Sequence, residues 1–174
     1  RINSQSGKGG VNYILKQSHG ISLPDKMREE MSYTAKRVSD QAHQELTPEW
    51  IYQIFCDNYI NVDKKFHITE CHFVQEDGIQ AKATVESEGR TAVINGQGNG
   101  RLDAVSNAIR SYLDVDYELV DYEQHSLTKG SSSKAVSYVS ITKDGQTFWG
   151  VGIDEDIIKS SYQALEVAVN KILD

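Results

Sequence analysis

The stretch GQGNGRLDA, at residues 96–104, lies where a predicted strand meets a predicted helix. The strand is RTAVING at 90–96, in which apolar and polar residues alternate. The helix extends from Gly100 to Leu113, and its apolar residues share one face: Leu102, Val105, Ala108, Ile109 and Leu113. This strand–glycine loop–helix passage is the element from which the rest of the fold can be read.

The chemistry of this loop favours an anion. Glycines let a backbone approach a ligand closely, and a helix start has unpaired N–H groups and a partial positive charge. These groups suit a phosphate and a carboxylate equally well. A tight strand-to-helix turn capped by Asn99 is the alternative, and composition alone leaves both interpretations open.

Nucleotide-binding motifs do not fit the loop. The dinucleotide fingerprint G-x-G-x-x-G, counted from Gly96 and Gly98, requires glycine at position 101, which is arginine. The phosphate loop G-x-x-x-x-G-K-[ST] is also missing, because Gly7-Lys8 is followed by Gly9. We therefore do not expect a nucleotide here.

The strands and helix around the loop occur twice. The segments KFHITECHFVQ, IQAKATVES and RTAVING precede the first helix, whereas YELVDYEQHSL, KAVSYVSITK and QTFWGVGI precede a second helix from Ile157 to Leu173. One constant offset relates the two copies, without a gap, in the pairs Gly89/Gly145, Thr91/Thr147, Gly96/Gly152, Ala108/Ala164, Ile109/Leu165 and Phe66/Tyr122. The pattern predicts an α+β fold, a pseudo-twofold repeat of two βββα units.

A small helical linker subdomain is predicted to precede the repeat. Ser22 and Pro24 can start one helix, and Thr47 followed by Pro48 can start another. VNYIL at 11–15 is a short apolar alternation. We therefore divide the chain into a helical linker subdomain at 1–62 and a domain at 63–174, with repeats at 63–115 and 119–174.

Composition narrows the function classes. The chain has 174 residues and a net charge of −7, which disfavours a general nucleic-acid binder, and it contains neither a membrane-spanning apolar run nor a signal peptide. Cys56 and Cys71 are too few for a disulfide framework, so a reducing, cytoplasmic setting is expected. Because the chain does not begin with Met, we interpret it as a fragment of a longer protein.

No catalytic constellation is apparent. The five histidines form neither H-x-H nor H-E-x-x-H, no G-x-S-x-G occurs, and the acids Asp154, Glu155 and Asp156 are placed to favour a helix start. The sequence is therefore typical of a binding or assembly domain.

Several motifs, in order along the whole chain, resemble the 2-isopropylmalate synthase family. They are NSQSGKGGVNYIL at 3–15, HGISLP at 19–24, GQGNGRLDA at 96–104, VDYEQHSL at 120–127 and WGVG at 149–152. The last three are similar to the C-terminal regulatory domain of that family, in which two βββα units form a homodimer with leucine near the dimer interface.

The resemblance implies a division of labour. An N-terminal (β/α)8 barrel, which this chain lacks, would hold a divalent metal and condense acetyl-CoA with 2-oxoisovalerate. The chain itself would have no cofactor and no activity alone, and would bind L-leucine for feedback inhibition. The effector residues carried over are Gly98, Asn99, Gly100, Leu102, Asp103, Ala104, Tyr122, Ser126 and Ser133.

Two residues depart from the family pattern, and other interpretations stay open. The family commonly has proline where Arg101 stands and a small residue where Asp103 stands. The alternatives are the isoleucine-sensing end of a citramalate synthase, a ligand-free dimerisation module, and an enzyme in its own right with a nucleotide at the glycine loop.

Overall fold

The computed structural model describes residues 8–129 and 132–173. Its elements are α1 (Lys8–His19), α2 (Asp25–Ala42), α3 (Pro48–Tyr59), β1 (Phe66–Gln75), β2 (Ile79–Ser87), β3 (Arg90–Gly98), α4 (Arg101–Leu113), β4 (Glu118–Lys129), β5 (Ser132–Lys143), β6 (Gln146–Asp154) and α5 (Ile157–Asn170). Each trio of strands forms its own antiparallel sheet, in the orders β1-β2-β3 and β4-β5-β6. The predicted α+β architecture of two βββα units is therefore confirmed.

The offset that relates Gly96 to Gly152 holds for the second and third strands and the helix of each unit. A Cβ on Gly96 would lie 2.2 Å from the carbonyl oxygen of Ala104, and one on Gly152 would lie 2.1 Å from that of Ser160. Both glycines thus let a helix pack directly on the last strand of its sheet, at equivalent positions of the two units.

The predicted pairing of Phe66 with Tyr122 is wrong. Ile68 pairs with Val85 in the first unit, and the equivalent pair in the second is Leu119 with Ile141. The second pair lies further apart along the chain than the first, so the second hairpin is longer. A gap in the repeat is therefore needed. The structural counterpart of Phe66 is then Tyr117, which is also buried.

The two sheets differ on their outer faces. In the second sheet this face is apolar and packs against α1, α2 and α3 through Val136, Tyr138, Trp149 and Val151. The corresponding residues of the first sheet, found with the same offset, are the exposed Gln80, Lys82, Val93 and Asn95. The internal repeat is therefore asymmetric, because only the second unit has an apolar outer face that the linker helices can cover.

The linker region contains two departures from expectation and one confirmation. VNYIL belongs to helix α1, in which Val11 and Leu15 are buried one turn apart and Tyr13 is exposed, so the apparent alternation is a helical face. Ser22 does not cap α2, whose N-cap is Pro24. Thr47 caps α3 as predicted, because its hydroxyl oxygen accepts a hydrogen bond from the Trp50 amide at 3.1 Å. Since these helices share a core with β5 and β6, the boundary at residue 62 stays a prediction.

Candidate functional site

The glycine loop leads into a helix start without a side-chain cap. Gly100 is the N-cap of α4, in an extended conformation (φ −133°, ψ 173°), and the first helical hydrogen bond joins the Ala104 amide to the Gly100 carbonyl at 3.0 Å. Asn99 is exposed and does not cap, so the alternative of an Asn99-capped turn is wrong. Within residues 8–129 and 132–173, the amides of residues 101–103 make no hydrogen bond. The start of α4 therefore has unpaired amide donors, and anion binding there stays a prediction.

The second unit shows what these amides can bind. Asp156, the N-cap of α5, occupies the position equivalent to Gly100, and its Oδ1 accepts hydrogen bonds from the amides of Ile158 at 2.9 Å and Lys159 at 3.1 Å. The equivalent amides of α4 are those of Leu102 and Asp103. Both N-caps are extended, with φ −133° and ψ 173° at Gly100 and φ −84° and ψ 119° at Asp156. The equivalent amides hold an internal carboxylate in the second unit and are open donors in the first.

The backbone around the loop is held in place by close packing. The Gln97 carbonyl accepts a hydrogen bond from the side-chain amide of Asn107 at 2.7 Å, which ties the end of β3 to α4. A Cβ on Gly98 would lie 2.8 Å from the Ala104 amide nitrogen. The absence of a side chain at this position is therefore a requirement of packing.

The predicted loop residues have different surroundings. Leu102 and Ala104 are buried in the core that the two units share. Their side chains thus support the helix, and only their backbone faces the loop. Asp103 is exposed in the first turn, where its charge is favourable, and its carboxylate makes no hydrogen bond within the described part of the chain.

The other predicted residues lie on the second sheet. Tyr122 and Ser126 pair with Val139 and Ala135, and their side chains are on the face of β4 that looks toward α5. Tyr122 is 44% exposed, and Ser126 and Ser133 are exposed as well. No hydrogen bond among the described residues joins them to the glycine loop. The single chain therefore presents two surfaces, one of open amides and one containing an exposed tyrosine.

Sequence reasoning missed a polar cluster beside Tyr122. The side-chain amide of Gln124 donates to the hydroxyls of Ser137 at 2.7 Å and Ser160 at 3.2 Å, and to the Ile157 carbonyl at 3.1 Å. In the first unit the positions equivalent to Ser137 and Ser160 are Ala81 and Ala104. The offset between repeats could have shown this difference, since the exchange of two alanines for two serines is visible in the sequence.

Metal binding and membrane insertion are two further function classes on which the structure bears. Among the described residues, no three His, Cys, Asp or Glu side chains are grouped so as to hold a metal ion. None of the helices in that part of the chain combines the length and the apolar character that a bilayer crossing requires.

Comparison with known proteins covers both the repeat and the helices that precede it. A family model described as "LeuA allosteric (dimerisation) domain" matches residues 45–173. Among similar proteins, the 2-isopropylmalate synthase of Helicobacter hepaticus is 44% identical over 99% of this chain and 33% of its own length. The enzyme of that name from Desulfitobacterium hafniense is 45% identical over 99% of this chain and 31% of its own length. The chain thus spans about a third of the relatives that it matches.

Proposed function

The chain belongs to the LeuA allosteric (dimerisation) domain family, and we propose that it is the leucine-sensing part of a 2-isopropylmalate synthase. In this proposal L-leucine binds the domain and inhibits the condensation of acetyl-CoA with 2-oxoisovalerate. That reaction takes place in a separate catalytic barrel with its own divalent metal. The chain alone is then inactive, and its cytoplasmic location stays a prediction.

The observation that supports this function most directly is the contrast between the two helix starts. Asp156 satisfies the amides at the start of α5, whereas Gly100 leaves those of α4 open. A carboxylate from a ligand can therefore take the place in the first unit that Asp156 has in the second. The α-carboxylate of an amino acid has the required charge and an oxygen that can accept from both amides, as Oδ1 of Asp156 does.

The expected energetics are compatible with an effector. Hydrogen bonds to a charged group contribute about 1.5–3 kcal/mol each, and burial of the isobutyl group contributes about 1.5–3 kcal/mol more. Two such bonds and the side chain together give about 4.5–9 kcal/mol before the cost of association is subtracted. This sum is an upper limit: without that cost it would equal an affinity between about millimolar and below micromolar, and the cost of association makes the binding weaker.

We propose further that the domain works as a homodimer. Val120 and Tyr122 are 48% and 44% exposed on the first strand of the second sheet, because α5 packs mainly on β5 and β6. A second copy that covers these side chains would remove apolar surface from water. The effector would then lie close to the subunit interface, as the family resemblance implies.

Calorimetric titration of the chain with leucine, isoleucine and valine tests the proposal. We expect leucine to bind most tightly, and sedimentation velocity to show a dimer. A preference for isoleucine would favour the regulatory end of a citramalate synthase. A dimer that gives no heat with any of the three amino acids would instead support a ligand-free dimerisation module and refute the sensor.

A further inference from the structure

Strand β4 has the candidate effector residues on one face and the linker on the other. Tyr122 and Ser126 face α5, as their pairing with Val139 and Ala135 shows. The alternate residues Asp121, His125 and Leu127 therefore point to the opposite face, where the linker helices pack. One strand thus separates the two regions by the thickness of its backbone.

The connection between α1 and α2 together with the first two residues of α2, residues 20–26 and here called the connection, follows this linker face of β4. A Cβ on Gly20 would lie 2.8 Å from Cδ1 of Leu127, which shows how closely the two chain segments approach. Further along, the Ser22 amide donates to Nε2 of His125 at 3.4 Å. At the far end, Nζ of Lys26 lies 3.5 Å from Oδ1 of Asp121. The order of the contacts shows that the connection and the strand run in opposite directions.

The imidazole of His125 makes hydrogen bonds to the backbone of β4 and to the linker. Its Nδ1 lies 3.0 Å from the carbonyl oxygen of Ser126, so Nδ1–H is the donor there. Nε2 is then unprotonated and accepts from the hydroxyl of Tyr138 at 2.7 Å as well as from the Ser22 amide. One neutral tautomer satisfies all three contacts. The backbone of an effector-site residue is thereby linked through a single ring to the linker.

The contact between β4 and the connection consists of separate points rather than continuous packing. A cavity of about 460 Å³ lies between them, lined by residues of both, including Pro24, Lys26, Asp121 and His125. The strand is an edge strand and has an irregularity between Leu119 and Asp121. A β-bulge of this kind lets a strand bend locally, and the cavity gives it room to move.

We propose that β4 is the element that couples effector binding to the linker. This inference rests on the proposed function, because it takes Tyr122 and Ser126 as part of the leucine site. A ligand that contacts these residues changes the position of β4, and His125 and Asp121 pass the change to residues 20–26. Any ligand can shift the linker only by the difference of its affinities for the two positions, which for allosteric proteins is typically about 5–150-fold.

Hydrogen exchange of the chain with and without saturating leucine tests the coupling. We expect leucine to change the exchange rate of amides in residues 20–26 at least threefold, with Ser22 among those affected. In His125→Phe, which keeps a ring but removes both nitrogens, leucine should still give heat in calorimetry. The exchange change in residues 20–26 should fall to less than a third of its original size. Glu123→Gln, on the same face of the strand, is the matched control and should behave as the unmodified chain.

A second variant guards against a fold defect in His125→Phe. Lys26 is 73% exposed, so Lys26→Gln should fold normally and should reduce the exchange response partially by breaking the ion pair with Asp121. Leucine heat with no exchange change in residues 20–26 overturns the coupling and leaves the sensor intact. A full response in both variants overturns it as well. Absence of any leucine heat overturns the proposed function, and the coupling with it.

Discussion

Replacing Gly100 by aspartate should convert the first unit into the self-capped state of the second. The backbone at Gly100 is extended, and the nearest atom to an added Cβ is Oδ2 of Asp103 at 3.7 Å, so the new side chain fits. Its carboxylate should accept hydrogen bonds from the amides of Leu102 and Asp103, as Asp156 does from those of α5. The donors proposed for leucine would then be occupied.

The magnitude follows from the two hydrogen bonds that the ligand would lose. At about 1.5–3 kcal/mol each, their loss weakens leucine binding by about 3–6 kcal/mol, which is a factor of at least about one hundred. Stability should change little, because aspartate in place of glycine at an N-cap contributes a few tenths of a kcal/mol, partly offset by the charge of Asp103. Gly100→Ala is the matched control, since it adds the Cβ without an acceptor, and it should bind leucine within about threefold of the unmodified chain.

Calorimetry and thermal unfolding of the three proteins decide the matter. The expected result is a folded Gly100→Asp variant that gives no leucine heat, beside a Gly100→Ala variant that does. If Gly100→Asp binds leucine with an unchanged dissociation constant, the amides of α4 do not hold the ligand carboxylate. The start of α4 is then not a carboxylate site equivalent to the start of α5.

Three further predictions concern stability, measured as the free energy of unfolding in urea. Gly96→Ala should destabilise the chain by about 2–4 kcal/mol because the added Cβ would lie 2.2 Å from the backbone of α4. The control Gly89→Asn, with no atom within 4 Å of an added Cβ, should cost less than about 1 kcal/mol. Equal costs would contradict the close packing of α4 on Gly96. Burial lowers the pKa of Lys171 to about 8, so the unfolded chain binds more protons than the folded chain above that pH. The free energy of unfolding, relative to that of Lys171→Met, should therefore rise by about 1–2 kcal/mol from pH 7.5 to 9.5. A difference that does not change with pH would refute the burial of Lys171. The side chain of Glu166 is 1% exposed, accepts a hydrogen bond from the Ile68 amide and lies 3.0 Å from Nζ of Lys64. Glu166→Gln should therefore destabilise the chain by about 1–3 kcal/mol. An unchanged free energy of unfolding would show that the charge of Glu166 is dispensable.

The sequence by itself determined the βββα order and the presence of a repeat, whereas the structure decided that Asn99 does not cap α4. Alternation is strong in the first sheet because that sheet has one face on a core, and the second sheet is covered on both faces. Glycine at position 100, against aspartate at the equivalent position 156, was also readable, since a cap depends on local residue type.

Tertiary structure decided how the units are paired and what their outer faces meet. The longer second hairpin moved Tyr122 away from the position equivalent to Phe66, because strand register depends on which partner residues can bury together, and no local pattern fixes that. The linker helices pack on the second sheet because its outer face, around Trp149, is apolar. The contact of His125 with Ser22 joins residues that are far apart in the chain. Such contacts form only when folding brings distant segments together. The hydrophobic effect that drives this is non-directional and does not depend on how far apart two residues are in the sequence.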